Sequence, residues 1–310
     1  MDKIAKSHQK CRNITINTDG QRIDNFLLKT VKGVPRSLIY KVIRDGQVRV
    51  NSKRVKPSYR LIARDIVRIP PISPQIKEAS SNKKFLENMD DYIIFENKDF
   101  FVIDKPAGLA VHGGTNVKYD IISSLKKLKN NLNIAPVNRL DKNTSGCMLI
   151  SKNYQSAKDL GNCFKTNNVK KTYMALLSGK LEKTKIVVDS SLKIDKRKKN
   201  SSVSTDSSGK HALSTFSVKR YFTRCTLVNI LIQTGRTHQI RVHASSINHP
   251  ICGDTKYGNK SVNSLFRKIG LSRIFLHASD LSFYYKKFYS FQSSLPEDLS
   301  ILVENLENEL

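Results

Sequence analysis

The apolar positions change period along the chain, and the changes mark out its elements. From Arg22 onward, Ile23, Phe26 and Leu27, then Leu38, Ile39, Val42 and Ile43, recur every three to four residues. That spacing predicts two short amphipathic helices. The break between them, Gly33-Val34-Pro35-Arg36-Ser37, offers Ser37 or a neighbour as cap for the second. After Asp45-Gly46 the period falls to two, and Val48 to Asn51 and Asp65 to Pro70 read as strands. Further strands are predicted at Tyr92–Glu96, Phe100–Lys105, Cys147–Ile150, Thr172–Leu177, Ser214–Val218 and Leu227–Ile232. Helices are predicted near Ile121–Leu128, Asn153–Phe164, Thr237–Ser246 and Leu299–Leu306. Runs of strands with few helices among them indicate an α+β fold on a mixed, mainly antiparallel sheet with flanking helices.

Between the two patterned regions stands Pro70-Pro71-Ile72-Ser73-Pro74, followed by the polar run Gln75 to Asn88, which reads as a linker. The expected organisation is a first domain over 14–70, a linker over 71–89 and a second domain over 90–310. Neither repeats the other. With 310 residues, 39% of them hydrophobic, the chain can bury a core. No uncharged apolar run reaches the roughly 18 residues of a membrane span, and MDKIAKSHQKCRN lacks a signal-peptide apolar stretch. Five cysteines without a CxxC pair argue against a disulfide or zinc scaffold and suit a reducing cytosol, so a cytoplasmic location is expected.

Charge changes the picture most. The chain carries +28, and its first 70 residues hold 17 Lys+Arg against 5 Asp+Glu, a net +12. Such an excess repels itself unless a polyanion is the partner. Nucleic acid is the first reading, and a membrane surface is the weaker one. Arg36, Lys41, Arg44, Arg49, Lys53, Arg54 and Lys56 crowd the predicted helix pair and the turn after it, with only Asp45 to balance them. Any one could be ordinary solvated surface; together they suggest a face that tracks phosphates. The charge run beginning at Lys193 reads as a solvated loop.

Three clusters could carry chemistry. Asp141 sits in Asn138-Arg139-Leu140-Asp141-Lys142-Asn143-Thr144-Ser145-Gly146, where a plain turn with the Asp bonding its own backbone is the bland alternative. Tyr173 follows Lys170-Lys171-Thr172 and could be simple sheet packing. Thr234-Gly-Arg-Thr-His-Gln-Ile-Arg-Val-His243, then His249-Pro-Ile-Cys-Gly-Asp254 and Tyr257, follow an apolar strand. Thr237 as helix cap would place Arg241 in the first turn. His238 and His243 are five apart, not the four of HExxH, so no metal site is expected. Phosphate-loop, dinucleotide and nucleophile-elbow motifs are missing.

The stretch from Arg22-Ile-Asp-Asn-Phe-Leu through Asp45-Gly-Gln-Val-Arg-Val-Asn to Asp65-Ile-Val-Arg-Ile resembles the S4 (αL-type) RNA-binding domain over roughly 50 residues. Asn138-Arg-Leu-Asp-Lys-Asn-Thr-Ser-Gly, Lys171-Thr-Tyr, Thr234-Gly-Arg-Thr-His-Gln-Ile-Arg-Val-His and His249-Pro-Ile-Cys-Gly-Asp, in that order within 90–282, resemble the RluA family of pseudouridine synthases. With the S4 module in front, the likeness is to the RluC/RluD branch, which acts on large-subunit ribosomal RNA. Asn138 stands where that family most often has His.

The resemblance implies a cofactor-free, metal-free isomerase acting on RNA, expected to be a monomer. Asp141 is implied as the carboxylate that attacks the ribose or takes a proton from it. A carboxylate shielded from water needs a cation, and Arg241 matches the family's partner. Tyr173 matches the Tyr that stacks on the uracil and could help remove the C5 proton. Arg139 is implied to fill the stack left by the flipped base. The rival expectations are a catalytically silent RNA-binding or ribosome-assembly protein, and an S4-bearing methyltransferase, for which no Gly-rich donor-binding turn is found.

Overall fold

The computed structural model describes residues 11–31, 34, 36–71, 88–113, 120–166, 169–195 and 202–308, with the side chains of Arg36 and Ser37 outside that description. The chain divides into two compact units. The expected linker lies almost wholly outside the described residues, as do positions 196–200 of the predicted charge run.

The first unit contains β1 (Arg12–Thr15), α1 (Ile23–Thr30), α2 (Arg36–Arg44), β2 (Arg49–Val50), β3 (Lys53–Arg54) and β4 (Ile66–Ile69). The strands form an antiparallel sheet in the order β1-β4-β2-β3. Ile23, Leu27, Ile39, Ile43, Val48, Leu61 and Val67 form its core, all at most 1% exposed. The three-to-four spacing exists because these side chains must share one helix face. α2 already begins at Arg36, so Ser37, the expected cap, falls inside the helix.

The second unit is built on β5 (Ile93–Glu96), β6 (Phe100–Lys105), α3 (Ile121–Leu128), β7 (Ala135–Pro136), β8 (Ser145–Ser151), α4 (Tyr154–Lys165), β9 (Val169–Ser178), β10 (Lys185–Asp195), β11 (Ser202–Thr205), β12 (Lys210–Tyr221), β13 (Cys225–Ile232), α5 (Gln239–Ser246), α6 (Lys260–Lys268), β14 (Leu276–Tyr285), β15 (Lys287–Gln292) and α7 (Glu297–Glu307). One sheet runs β11-β10-β12-β13-β9-β14-β8-β6-β5, with β15 on β14 and β7 on β8. Among the described residues only the β14–β8 pairing is parallel. The α+β architecture on a mixed, mainly antiparallel sheet is therefore as expected. Met89, inside the span expected to be linker, is buried in this unit's core.

Local chemistry explains several boundaries. Asp120 caps α3 by accepting the Ser123 N–H at 2.9 Å. Asn153 and Ser156 form a reciprocal capping box on α4. Strands β1, β3, β7, β10, β11, β14 and β15 and helix α6 escaped the sequence reading. Much of β10 is polar or basic, and β14 interrupts its apolar residues with His277, Ser279 and Asp280. The buried His277 ring is satisfied by the Ser145 hydroxyl at 3.0 Å and the Ser293 carbonyl at 2.9 Å, partners far away in sequence.

Candidate active site

The middle of the sheet brings three sequence-distant segments together. The loop 138–144 enters β8, Tyr173 projects from β9, and α5 follows the turn after β13. β9 lies between β13 and β14, with Tyr173 opposite Ile230. The loop is held from below. Gly108 N–H donates to the Lys142 carbonyl at 2.8 Å, and the fully buried Lys105 Nζ reaches the same oxygen at 3.1 Å. Lys105 also donates to the carbonyls of Pro106 and Leu109, at 2.8 and 3.0 Å. Burial, reinforced by the charge of Arg273, pushes its pKa down to about 7.

The Asp141 side chain does not bond its own backbone. Its Oδ2 accepts from Arg241 Nη1 at 2.8 Å, and Oδ1 takes no hydrogen bond from the described residues. Arg241 is the third residue of α5, as expected, but the cap is not Thr237. His238 precedes the helix in a left-handed conformation, φ 55°, with no side-chain cap bond.

Arg241 is aligned from its other side by Asp254. Nε and Nη2 meet the two Asp254 oxygens at 2.8 and 2.9 Å, a bidentate fork that fixes the guanidinium plane. Asp254 is 1% exposed and also accepts the backbone N–H groups of Lys256 and Tyr257. Burial pushes its carboxyl up, but Arg241 and those amides outweigh it and leave the pKa below the usual carboxylate range. Burial likewise opposes the Arg241 charge, and the two carboxylates outweigh it.

Two cavities flank Asp141. One, about 70 Å³, is lined by Arg139, Asp141, Thr144, Tyr173, Ile232 and Leu276, among others. The other, about 260 Å³, is lined by Asp141, Lys142, His238, Arg241, Arg267 and Arg273, among others, and so presents several cations. Tyr173 is 7% exposed, and its hydroxyl has no hydrogen bond to the described residues. Burial, with the Asp141 charge adding to it, holds its phenol well above the usual range. Thr144 Oγ1 is buried without a partner. Arg139 is exposed and forms no ion pair among the described residues. Asn138 lines neither cavity; its Oδ1 accepts the Leu149 N–H at 2.8 Å and so braces β8. The buried His243 ring has its nitrogens 3.0 and 3.1 Å from the Ser214 and Ser190 hydroxyls.

In the first unit, Lys41, Arg44, Lys53 and Arg54 are exposed and Arg49 is partly so, and none has an ion-pair partner among the described residues. The Arg36 side chain lies outside them.

Sequence reasoning assigned no role to Asp254, His238 or Tyr257. All three stood inside quoted motifs, but only proximity to Arg241 and Asp141 distinguishes them from their neighbours.

A sequence model of RNA pseudouridylate synthase matches residues 99–246, and one of the S4 domain matches 21–67. The ribosomal large subunit pseudouridine synthase C of Haemophilus influenzae is 37% identical over 313 residues, 98% of this chain and 97% of its own length. The protein of the same name from Pasteurella multocida is 39% identical over 291 residues, 92% of this chain and 89% of its own. The solved structure of human RNA pseudouridylate synthase domain containing 4 aligns with a TM-score of 0.59 at 24% identity, covering 74% of this chain and 97% of that one, and shows the same fold. A chain that aligns over more than nine-tenths of its length with such relatives, at more than a third identity, belongs to the RNA pseudouridylate synthase family.

Proposed function

We propose that this chain converts specific uridines of large-subunit ribosomal RNA to pseudouridine, with Asp141 as the reacting carboxylate. The observation that carries the reading is the state of Asp141: one oxygen fastened to Arg241, the other open, beside a wall of Tyr173, Ile232 and Leu276. The relatives are named for the large ribosomal subunit, and a charge of +28 suits a polyanionic substrate.

In the reaction the N1–C1′ bond breaks with its electron pair on the uracil. The base turns over, C5 bonds to C1′, C5 loses its proton and N1 gains one. Electrons balance without an oxidant or reductant, so the proposal includes no cofactor. Attack at C1′ and removal of a ribose proton both begin from Asp141 Oδ1, while Arg241, locked by Asp254, holds Oδ2. Tyr173 supplies the surface on which uracil packs. It could take the C5 proton only as phenolate, the form that burial disfavours, so stacking is the role its surroundings support. Arg139, exposed and without an ion pair among the described residues, is suited to enter the stack vacated by the flipped base. Arg36, Lys41, Arg44, Arg49, Lys53 and Arg54 would contact phosphates from the S4 unit. We place the enzyme in the cytoplasm as a monomer; the five cysteines, with no disulfide among them, suit a reducing compartment.

Asp141→Asn tests the assignment against a silent RNA-binding role. Turnover should vanish while RNA affinity stays within a few-fold, since Asn suits the same turn. Product formation by the variant above about 1% of wild type, a barrier change of only about 2.7 kcal/mol, would show that Asp141 is not the reacting group.

A further inference from the structure

His238 is held in a conformation that side chains rarely adopt, and its ring is aimed by two contacts. With φ at 55°, it places Nδ1 2.7 Å from the Tyr257 hydroxyl and Nε2 3.8 Å from Asp141 Oδ2. The hydroxyl takes the Val203 backbone N–H at 3.1 Å, which leaves its single proton available to His238 Nδ1. A ring nitrogen that accepts carries no hydrogen, so with the Tyr257 proton donated to Nδ1 the proton of the neutral imidazole is on Nε2, which faces Asp141. Tyr257 is itself immobilised. Its backbone N–H is held by Asp254 at 3.1 Å, and its ring lies under Arg241 at 5.1 Å and edge-on to His238 at 5.5 Å. Burial lowers the His238 pKa, and Arg241 and Lys256 add to this against Asp141 and Asp254, which favours the neutral ring.

An N–H 3.8 Å from a carboxylate oxygen is too distant for a direct hydrogen bond. A group that accepts from the one and donates to the other fits between them, and a hydroxyl does both. His238 and Asp141 line both cavities, so the gap is open to a substrate. When the glycosidic carbon of a nucleotide lies at Asp141, the hydroxyl next to that carbon is the ribose 2′-OH. We infer that His238, its tautomer set by Tyr257, recognises the 2′-hydroxyl of the target nucleotide and makes the site selective for ribose over deoxyribose at that one position. This rests on Asp141 being the reacting carboxylate. The 2′-OH is the group by which a protein can tell RNA from DNA at a given site.

The test uses full-length protein and two RNA substrates that differ only at the target, uridine against 2′-deoxyuridine, each tritiated at C5 so that turnover releases the label. Wild type should favour the ribose target by about tenfold or more, the scale of one hydroxyl hydrogen bond left unmade in a buried site. Tyr257→Phe and His238→Asn should bring the ratio to within about threefold, by slowing the ribose substrate and sparing the other. Asn tolerates the left-handed backbone, so the fold should survive, but its amide falls short of the Nε2 position. His238→Gln, which reaches further, should recover part of the preference. Equal wild-type rates on both substrates would overturn this inference alone. So would variants that slow both substrates equally and keep the ratio. No tritium release by wild type from the ribose substrate would bring down the functional reading, and this one with it.

Discussion

Arg139 and Asp141 are two residues apart, yet one side chain stands exposed and without an ion pair among the described residues while the other is tied to Arg241. The difference separates two readings of Arg139. A loop brace needs a carboxylate partner, and none of the described residues supplies one. A stacking role needs a planar, permanently charged group free to move, which is what Arg139 offers. Arg139→Ala and Arg139→Lys should therefore both slow the reaction, since Lys keeps the charge but cannot stack. A fluorescent base analogue at the target should brighten less with either variant than with wild type. Equal brightening would remove Arg139 from base flipping. Asn138→His should be nearly silent in the same assays, because Asn138 bonds the β8 backbone rather than the site.

Among elements, the pairing of β8 with β6 and β14 decides where the 138–144 loop, and Asp141 on it, stands. Lys105 at the end of β6 has three carbonyl acceptors for its three donors, but its pKa is down at about 7. In the unfolded chain a lysine keeps its proton to about pH 10.4. Between those limits the unfolded state binds more protons, so the Lys105 contribution to stability rises with pH from about 7 and is flat below it. Urea denaturation of wild type and Lys105→Met from pH 6.5 to 9.5 should show wild type gaining about 1–3 kcal/mol on the variant. A difference that shrinks, or stays level, contradicts the buried, readily deprotonated lysine. Gly146 is the second constraint at this level. Its φ is 111°, and a Cβ there would overlap the Ala278 carbonyl across the parallel β8–β14 pair. Gly146→Ala should cost about 3 kcal/mol or more, read as a lowered midpoint in thermal unfolding.

At the scale of the whole molecule, each unit has apolar clusters of its own, the first unit's gathered around Leu27, Ile39 and Val67 and the second unit's including one around Phe101, Ile150 and Phe216. Each cluster draws its residues from one side of the intervening segment, so each unit carries its own folding determinants. Removing residues 1–70 should leave a folded remainder with weaker RNA binding. The slope of log affinity against log salt should become shallower, because the unpaired cations of the first unit no longer displace counterions. An unchanged slope would take that unit off the RNA backbone, and an insoluble remainder would count against independent folding.

The helices α1, α2, α3 and α4 and the strands β6, β8 and β13 were legible in the sequence because each obeys a local rule, an apolar period or a capping residue that acts within a few positions. The α+β class and the excess of positive charge followed from the same local and additive information. Asp141, Tyr173 and Arg241, and Arg241 as the cation partner of Asp141, could be singled out only through resemblance, not from any local pattern. The Arg241–Asp141 ion pair joins residues 100 apart, and whether Asp141 bonds its own turn or a distant guanidinium depends on where β8, β9 and β13 bring their ends. Asp254 and Tyr257 carried no local signal, since burial beside a particular arginine is a property of packing. Strand β14 was hidden for the same cause: its His277 is affordable only because Ser145 and Ser293 arrive from elsewhere to satisfy it. Periodicity and capping are energies of neighbours along the chain, whereas the Asp254–Arg241–Asp141 ion pairing and the direction of the His238 ring are energies of neighbours in space, and these exist only once the sheet has brought them together.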